Sequence, residues 1–300
     1  MDSGSILWTF TGLRYVRIPN DDQIDLGEGF SLMRPSPAIL SARDHRLMSE
    51  DEYDDAERCG SYLVLKVHED ADRDDIRAIH SGELHNGLIA FQIIKPIQTS
   101  GWTFQSEQWR GNPGLSLKNT ERRPPMDPGQ WARMREFDSE CLAQVPSMIS
   151  RVKKVMKGTN AERKNTIILL QLALEHMHPL IAGLLNVMGM EAVFESGDRY
   201  KFKSELCGCL GASTKAFPNW NWPTMPQPAY TVDELAIPLY MLRSKLAHGA
   251  DLRKASVDKS TPVDLVKKVE LIPDLEPRTH AFLLAEAACY LHCQVLQKVL

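Results

Sequence analysis

Arg243 and His248 stand five positions apart, immediately before Gly249. An arginine brings a permanent cation whose planar fork matches two phosphate oxygens. A histidine changes charge near neutral pH and can act as base or acid. The pair can therefore supply a cation and a titratable base to one phosphodiester. RNA carries its own nucleophile, the 2′-hydroxyl. Cleaving it requires a group to take that proton, a group to stabilise charge on the phosphorus oxygens, and a proton for the leaving 5′-oxygen. Ser244, beside the arginine, can orient either partner by a hydrogen bond.

The surrounding sequence predicts the element that carries these residues. Thr231 and Glu234 have the Thr-x-x-Glu spacing of a helix capping box, directly after the Pro- and Trp-rich segment 217–230. Leu235, Leu239, Leu242 and Leu246 recur at spacings of four, three and four, which describes one apolar helix face. Gly249 suits the left-handed position just past a helix end. His248 then sits at the C-terminal end, where the helix dipole favours its protonated form. Positions 243 and 248 lie about 140° apart on an ideal helix. They converge only if the helix ends near His248, or if a second subunit supplies part of the site. Pro238, inside the pattern, removes one backbone hydrogen bond and is expected to bend the helix.

The run Leu239-Tyr240-Met241-Leu242-Arg243-Ser244-Lys245-Leu246-Ala247-His248-Gly249 resembles the signature of the HEPN superfamily, and is most similar to its Apea-like group. Upstream, Gly189-Met190-Glu191-Ala192-Val193-Phe194 resembles that group's apolar helix with an embedded glutamate. The resemblance covers roughly the last 140 residues, and its specificity lies mostly in 239–249. It implies an all-helical, usually dimeric domain, in many members a metal-independent endoribonuclease. Arg243, Ser244 and His248 are the catalytic residues it implies, and RNA the partner. Many catalytic members carry Asn, Asp or His directly after the arginine, where this chain has Ser244.

Composition bounds the alternatives. The 300 residues are 43% apolar and 25% charged, the balance of a globular protein with a sizeable core. Met1-Asp2-Ser3-Gly4-Ser5 lacks the basic start of a secretory signal, and the most apolar stretch, 167–194, is broken by Glu175, His176 and His178. These features predict a cytosolic protein without a membrane span. Residues 1–125 hold 20 acidic and 14 basic side chains, and residues 126–300 hold 19 and 21. Neither half has the positive excess of a protein that grips nucleic acid over a broad surface, so any RNA contact must be local. No Cys-x2-Cys pair occurs, Cys207 and Cys209 are too close for a zinc knuckle, and His176 and His178 lack partners at ligand spacing. No cofactor or metal is predicted.

Along the chain, 62–67 and 88–94 are short strand-like runs, with weaker candidates at 13–18 and 102–105. The acidic stretch Asp44 to Asp75, with 12 acidic residues in 32, suits a solvated loop or helix face. Turn-rich segments at 110–114 and 122–129 suit an interdomain linker. From Asp127 onward the apolar spacing is helical. A first helix is expected to open at Asp127-Pro128 and pass through Trp131, Met134, Phe137, Cys141 and Val145, interrupted or bent by Pro146. Others are expected over 161–177, from Pro179, around 203–210, over 231–248 and over 278–300. The expected fold is α+β: a β-containing N-terminal domain over 1–125, then an all-α bundle over 126–300.

Three function classes follow. One is an endoribonuclease, a toxin or antiviral effector whose N-terminal domain senses a protein or ligand. Because one histidine cannot be base and acid at once, a homodimer pairing two sites suits that chemistry. The second is a non-catalytic dimerisation or interaction module. The third is a small-molecule or nucleotide-binding domain using the same cleft. A purely structural arrangement is also open, in which Arg243 pairs with a neighbouring carboxylate and His248 merely caps a helix; Glu191 is expected to be an arginine partner inside the bundle and not an acid catalyst.

Overall fold

The computed structural model describes residues 6–14, 16, 18, 23–34, 49–68, 73–106, 117–122, 126, 137–176, 178–216, 230–248 and 281–300. They form two compact units, one reaching Lys157 and one running from Gly158 to Leu300. The fold is α+β.

The first unit is built on an antiparallel sheet of order β2-β3-β4-β1-β5-β6. Its strands are β1 (Ile6–Leu13), β2 (Gln23–Gly27), β3 (Phe30–Met33), β4 (Ser61–His68), β5 (Thr99–Ser106) and β6 (Leu117–Arg122). The runs expected at 62–67 and 102–105 fall within β4 and β5. Side chains alternate along a strand, so β4 sends Leu63 and Leu65 to one face, Tyr62 and Val64 to the other. Both faces are buried. Tyr62 and Val64 cluster with Phe10, Met33, Cys59 and Phe104, and the Phe10 ring stacks on Phe104 at 5.4 Å. The Leu63 face receives helix α2 (Arg73–Ile94), which comes so close that a Cβ on Gly87 would stand 2.5 Å from the Phe30 ring.

Residues 88–94 are therefore not a strand but the C-terminal part of α2. A short, fully buried apolar run carries no periodicity of its own, so strand and helix are indistinguishable there. Gln92 on α2 shows how the following turn is fixed: its amide donates to the Ile97 carbonyl at 2.7 Å and accepts from Ile97 N at 2.9 Å. Helix α1 (Glu50–Glu57) lies within the acidic stretch and leaves Glu50, Asp51, Asp54 and Glu57 exposed. Asp55 turns inward instead. It pairs with Arg14 and accepts hydrogen bonds from Ser100 Oγ at 2.5 Å and Gly101 N at 2.9 Å, tying α1 to the end of β1 and to β5.

Helix α3 (Ser139–Lys157) also belongs to this unit. It packs on α2, and Lys153 reaches Glu28 of the β2–β3 turn at 3.1 Å. These contacts place it with the sheet-bearing unit. Its start is later than expected. Residues 127–136, including Trp131 and Met134, lie outside the described residues. Phe137 is not helical: it bridges to Val16 and packs on Phe91 at 5.2 Å, and Asp138 then caps the helix by accepting from Cys141 N at 2.8 Å. The helix continues through Pro146.

The second unit is helical. It contains α4 (Ala161–Glu175), α5 (Pro179–Phe194), α6 (Arg199–Leu210), α7 (Val232–Ala247) and α8 (Ala281–Val299). Asn160 caps α4 through Arg163 N at 2.7 Å, and Asp198 caps α6 through Tyr200 N and Lys201 N. Pro179 opens α5, where a missing N–H costs nothing. Helix α5 is apolar on nearly every side and packs against α4, α6, α7 and α8. Among the described residues, no single helix is long and apolar enough to cross a membrane.

A Cβ on Gly183 of α5 would lie 2.6 Å from the Cβ and 2.8 Å from the Cα of Ala285 on α8. Backbone cannot swing aside as a side-chain tip can. Alanine is the better helix former by about 1 kcal/mol, whereas overpacking costs about 1–3 kcal/mol. Gly183→Ala is therefore expected to lower the urea unfolding midpoint, and an unchanged or higher midpoint would show that α5 and α8 are not in close contact there.

Candidate functional site

The site residues sit on α7, whose start matches the sequence expectation. Glu234 N donates to Thr231 Oγ1 at 3.4 Å, while Thr231 N donates to Glu234 Oε2 at 2.8 Å, a reciprocal cap. Val232, Leu235, Leu239 and Leu242 are buried, so the apolar face points into the unit; Leu246, one turn further, is half-exposed. The helix runs on through Pro238. It closes at His248, the C-cap, whose backbone N–H donates to the Ser244 carbonyl at 3.1 Å. The His248 side chain is exposed. Gly249 lies outside the described residues.

Arg243 faces a different neighbour from the one its spacing proposes. Its Nε lies 2.7 Å from Glu191 Oε2 on α5, an ion pair between a side chain 30% exposed and one 10% exposed. Neither atom has a well-aligned hydrogen-bond partner among the described residues, so the contact is held by charge more than by direction. The guanidinium carbon stands 5.7 Å from the centre of the Tyr240 ring, one turn back on α7. Tyr240 is itself braced, its ring 5.7 Å from Phe202 on α6 and its hydroxyl donating to the Gly197 carbonyl at 3.3 Å. Phe202 in turn meets Phe194 at 6.2 Å. Burial pushes the Glu191 carboxyl above its ordinary range, and the Arg243 charge opposes that rise.

Arg243 is thus a fixed cation: carboxylate at one edge, aromatic ring beneath. A guanidinium engaged through Nε has its two terminal nitrogens on other edges, the geometry that a phosphate oxygen pair needs. Among the described residues, no hydrogen bond or ion pair joins Arg243 to His248. Ser244 is half-exposed between them in sequence, and its carbonyl serves the helix end. The Glu191 pairing was legible as the expected arginine partner. Tyr240 was in view only as part of the motif, and the support from Phe202 and Gly197 had no signal, because neither is at helical spacing from Arg243.

The other polar candidates have structural roles. His176 ends α4 and His178 begins α5, joined by His178 N donating to His176 Nδ1 at 3.1 Å. All six cysteines are free, with Cys59, Cys289 and Cys293 buried. Among the described residues no group of three His, Cys, Asp or Glu side chains is placed to hold a metal ion. The chain matches no family model, no curated protein and no solved structure.

Removing the cation from this pair leaves a mostly buried carboxylate without compensation, which costs about 1–3 kcal/mol. Arg243→Ala is expected to unfold at lower urea than the wild type at pH 7. A carboxyl whose folded-state value is raised costs stability as pH rises through its unfolded value, and that cost vanishes below it. The gap between the two proteins is therefore expected to narrow as pH falls toward 4.5. A gap constant from pH 7 to 4.5 would mean that Glu191 is not the group left unpaired.

Proposed function

We propose that this protein is a metal-independent endoribonuclease whose site is formed by Arg243, Ser244 and His248 of α7. The observation that carries this reading is Arg243 itself: half-exposed, anchored through Nε to Glu191 and seated on Tyr240, five positions before the exposed histidine that ends its helix. In this reading Arg243 binds the phosphorus oxygens, His248 takes the 2′-hydroxyl proton or protonates the 5′-oxygen, and Ser244 orients one of them. The products are a 2′,3′-cyclic phosphate and a 5′-hydroxyl. Two protonation roles call for two histidines, so the active form is a homodimer placing two α7 helix ends at one cleft. The setting is the cytoplasm, where RNA is at hand, and the biological role is that of a toxin or antiviral effector with the sheet unit as sensor.

A second reading, a non-catalytic dimerising module, is favoured by a different observation. Ile168 and Leu172, one turn apart on α4, are exposed, as is Met188 on the neighbouring α5. Light scattering and RNA cleavage separate the two readings: a dimer without cleavage supports the module.

Purified protein is expected to cleave single-stranded RNA slowly and equally well in EDTA. His248→Ala is expected to abolish cleavage with the fold intact, since an exposed helix-end side chain contributes little packing. Arg243→Lys is expected to lose about 10- to 100-fold, because a point charge cannot bind two oxygens at once. Ser244→Asn is expected to be tolerated or faster. Wild-type protein that leaves varied RNAs intact, or His248→Ala that cleaves as well as wild type, would dispose of the nuclease.

A further inference from the structure

His292 lies at the middle of α8 with no solvent exposure, and both ring nitrogens are engaged. Nε2 is 2.8 Å from Thr166 Oγ1 on α4, and Nδ1 is 2.9 Å from Asn186 Oδ1 on α5. The amide of Asn186 is oriented by its own helix, because Nδ2 donates to the Ala182 carbonyl at 2.9 Å. Oδ1 therefore faces the ring, and it can only accept. This places the imidazole proton on Nδ1 and leaves Nε2 to accept from the Thr166 hydroxyl. The ring fills the space over Gly189, where a Cβ would meet its Cε1 at 2.2 Å. Three helices are thus joined through one neutral imidazole.

A second proton on this ring is costly to keep. It would add to Nε2 and force the Thr166 hydroxyl to turn from donor to acceptor, and it would bring a charge into a fully buried site with no counter-ion among the described residues. On α4 the facing group is Thr166; on α5 it is Asn186, with Glu191 two residues beyond Gly189 and already engaged by Arg243 of α7. Lys203 of α6 is paired with Asp233 of α7, and Lys298 of α8 acts on Cys209 of α6. On α8 itself, burial pushes the neighbouring Cys293 thiol well above its ordinary value. Burial alone acts on His292, and it pushes the imidazole from its ordinary 6.5 down to about 3.

We propose that Thr166–His292–Asn186 is an acid-release latch: while neutral it holds α8 on α4 and α5, and acidification opens this junction by supplying a proton the ring can keep only outside it. A histidine whose folded value is depressed stabilises nothing by titrating. The open form takes up a proton from pH 6.5 downward and the closed form does not, so stability falls over that window until about 3. At pH 5.0 the open form gains about 1.5 pH units of advantage, about 30-fold in the opening equilibrium. The latch does not depend on the nuclease reading.

The test is amide hydrogen exchange of the full-length protein between pH 7.5 and 5.0, corrected for the intrinsic pH dependence of exchange. The amides of α8 around His292 are expected to lose about 30-fold in protection, and His292→Gln, which cannot gain charge, is expected to lose little. If the variant does not fold, the wild-type imidazole carbon and nitrogen shifts decide: His292 is expected to stay neutral, protonated on Nδ1, down to pH 5.0 in the folded protein. Protection of α8 that does not change with pH, parallel losses in wild type and His292→Gln, or a folded-state imidazole titrating near 6.5 would each overturn the latch. Loss of RNA cleavage without these changes would bear on the nuclease and leave the latch standing.

Discussion

Helix α5 can hold the second unit together only by giving up side chains. At Gly183 and Gly189 it presents bare backbone, so that Ala285 of α8 comes into contact with it and the His292 ring drops into place. An apolar helix buried on several sides would satisfy the hydrophobic requirement with many orientations. The glycine slots and the buried hydrogen bonds to Thr166 and Asn186 admit one. With that rotation set, Val187 and Met190 are buried and Glu191 meets the guanidinium of α7. The position of the candidate site therefore follows from where two hydrogen atoms replace methyl groups on a neighbouring helix.

The first unit solves a related problem with a carboxylate. Asp55, on a short acidic helix whose Glu50, Asp51, Asp54 and Glu57 are solvated, gathers Arg14, Ser100 and Gly101 and so ties α1 to β1 and β5. Cys59 closes the same corner, its Sγ donating to the Asp55 carbonyl at 3.3 Å and lying where a Cβ on Gly12 would need to be. Burial and the adjacent carboxylate push that thiol up to about 12, which suits a packing role and not a nucleophilic one. In both units, few polar contacts choose among packings that apolar burial alone would leave equivalent.

What could be read from the sequence follows the range of the forces involved. The capping box at Thr231 and the closure of α7 at His248 are local, decided by residues within one turn, and both stand where their spacing put them. The pairing of Glu191 with an arginine agrees with the cost of burying a lone carboxylate, which holds in any fold. Residues 88–94 misled because apolar burial on all sides erases the period that separates helix from strand. The assignment of α3 to the sheet unit depends on its packing against α2, with Lys153 meeting Glu28, 125 positions earlier; no local pattern carries such long-range contacts. His292 was similarly silent: its partners lie on two other helices, at Thr166 and Asn186.

Cys293 follows His292 on α8 and is 1% exposed. Its thiol is sealed by the same packing, while Cys141, Cys207 and Cys209 are partly open to solvent. An alkylating reagent therefore meets two populations of sulfur in one chain. Modification at Cys289 and Cys293 counts the occasions on which α8 leaves its neighbours, Cys59 reports on the corner it closes in the first unit, and the other three react without any such opening. The protein thus records its own internal openings as a permanent chemical mark, one molecule at a time, without any label having been designed into it.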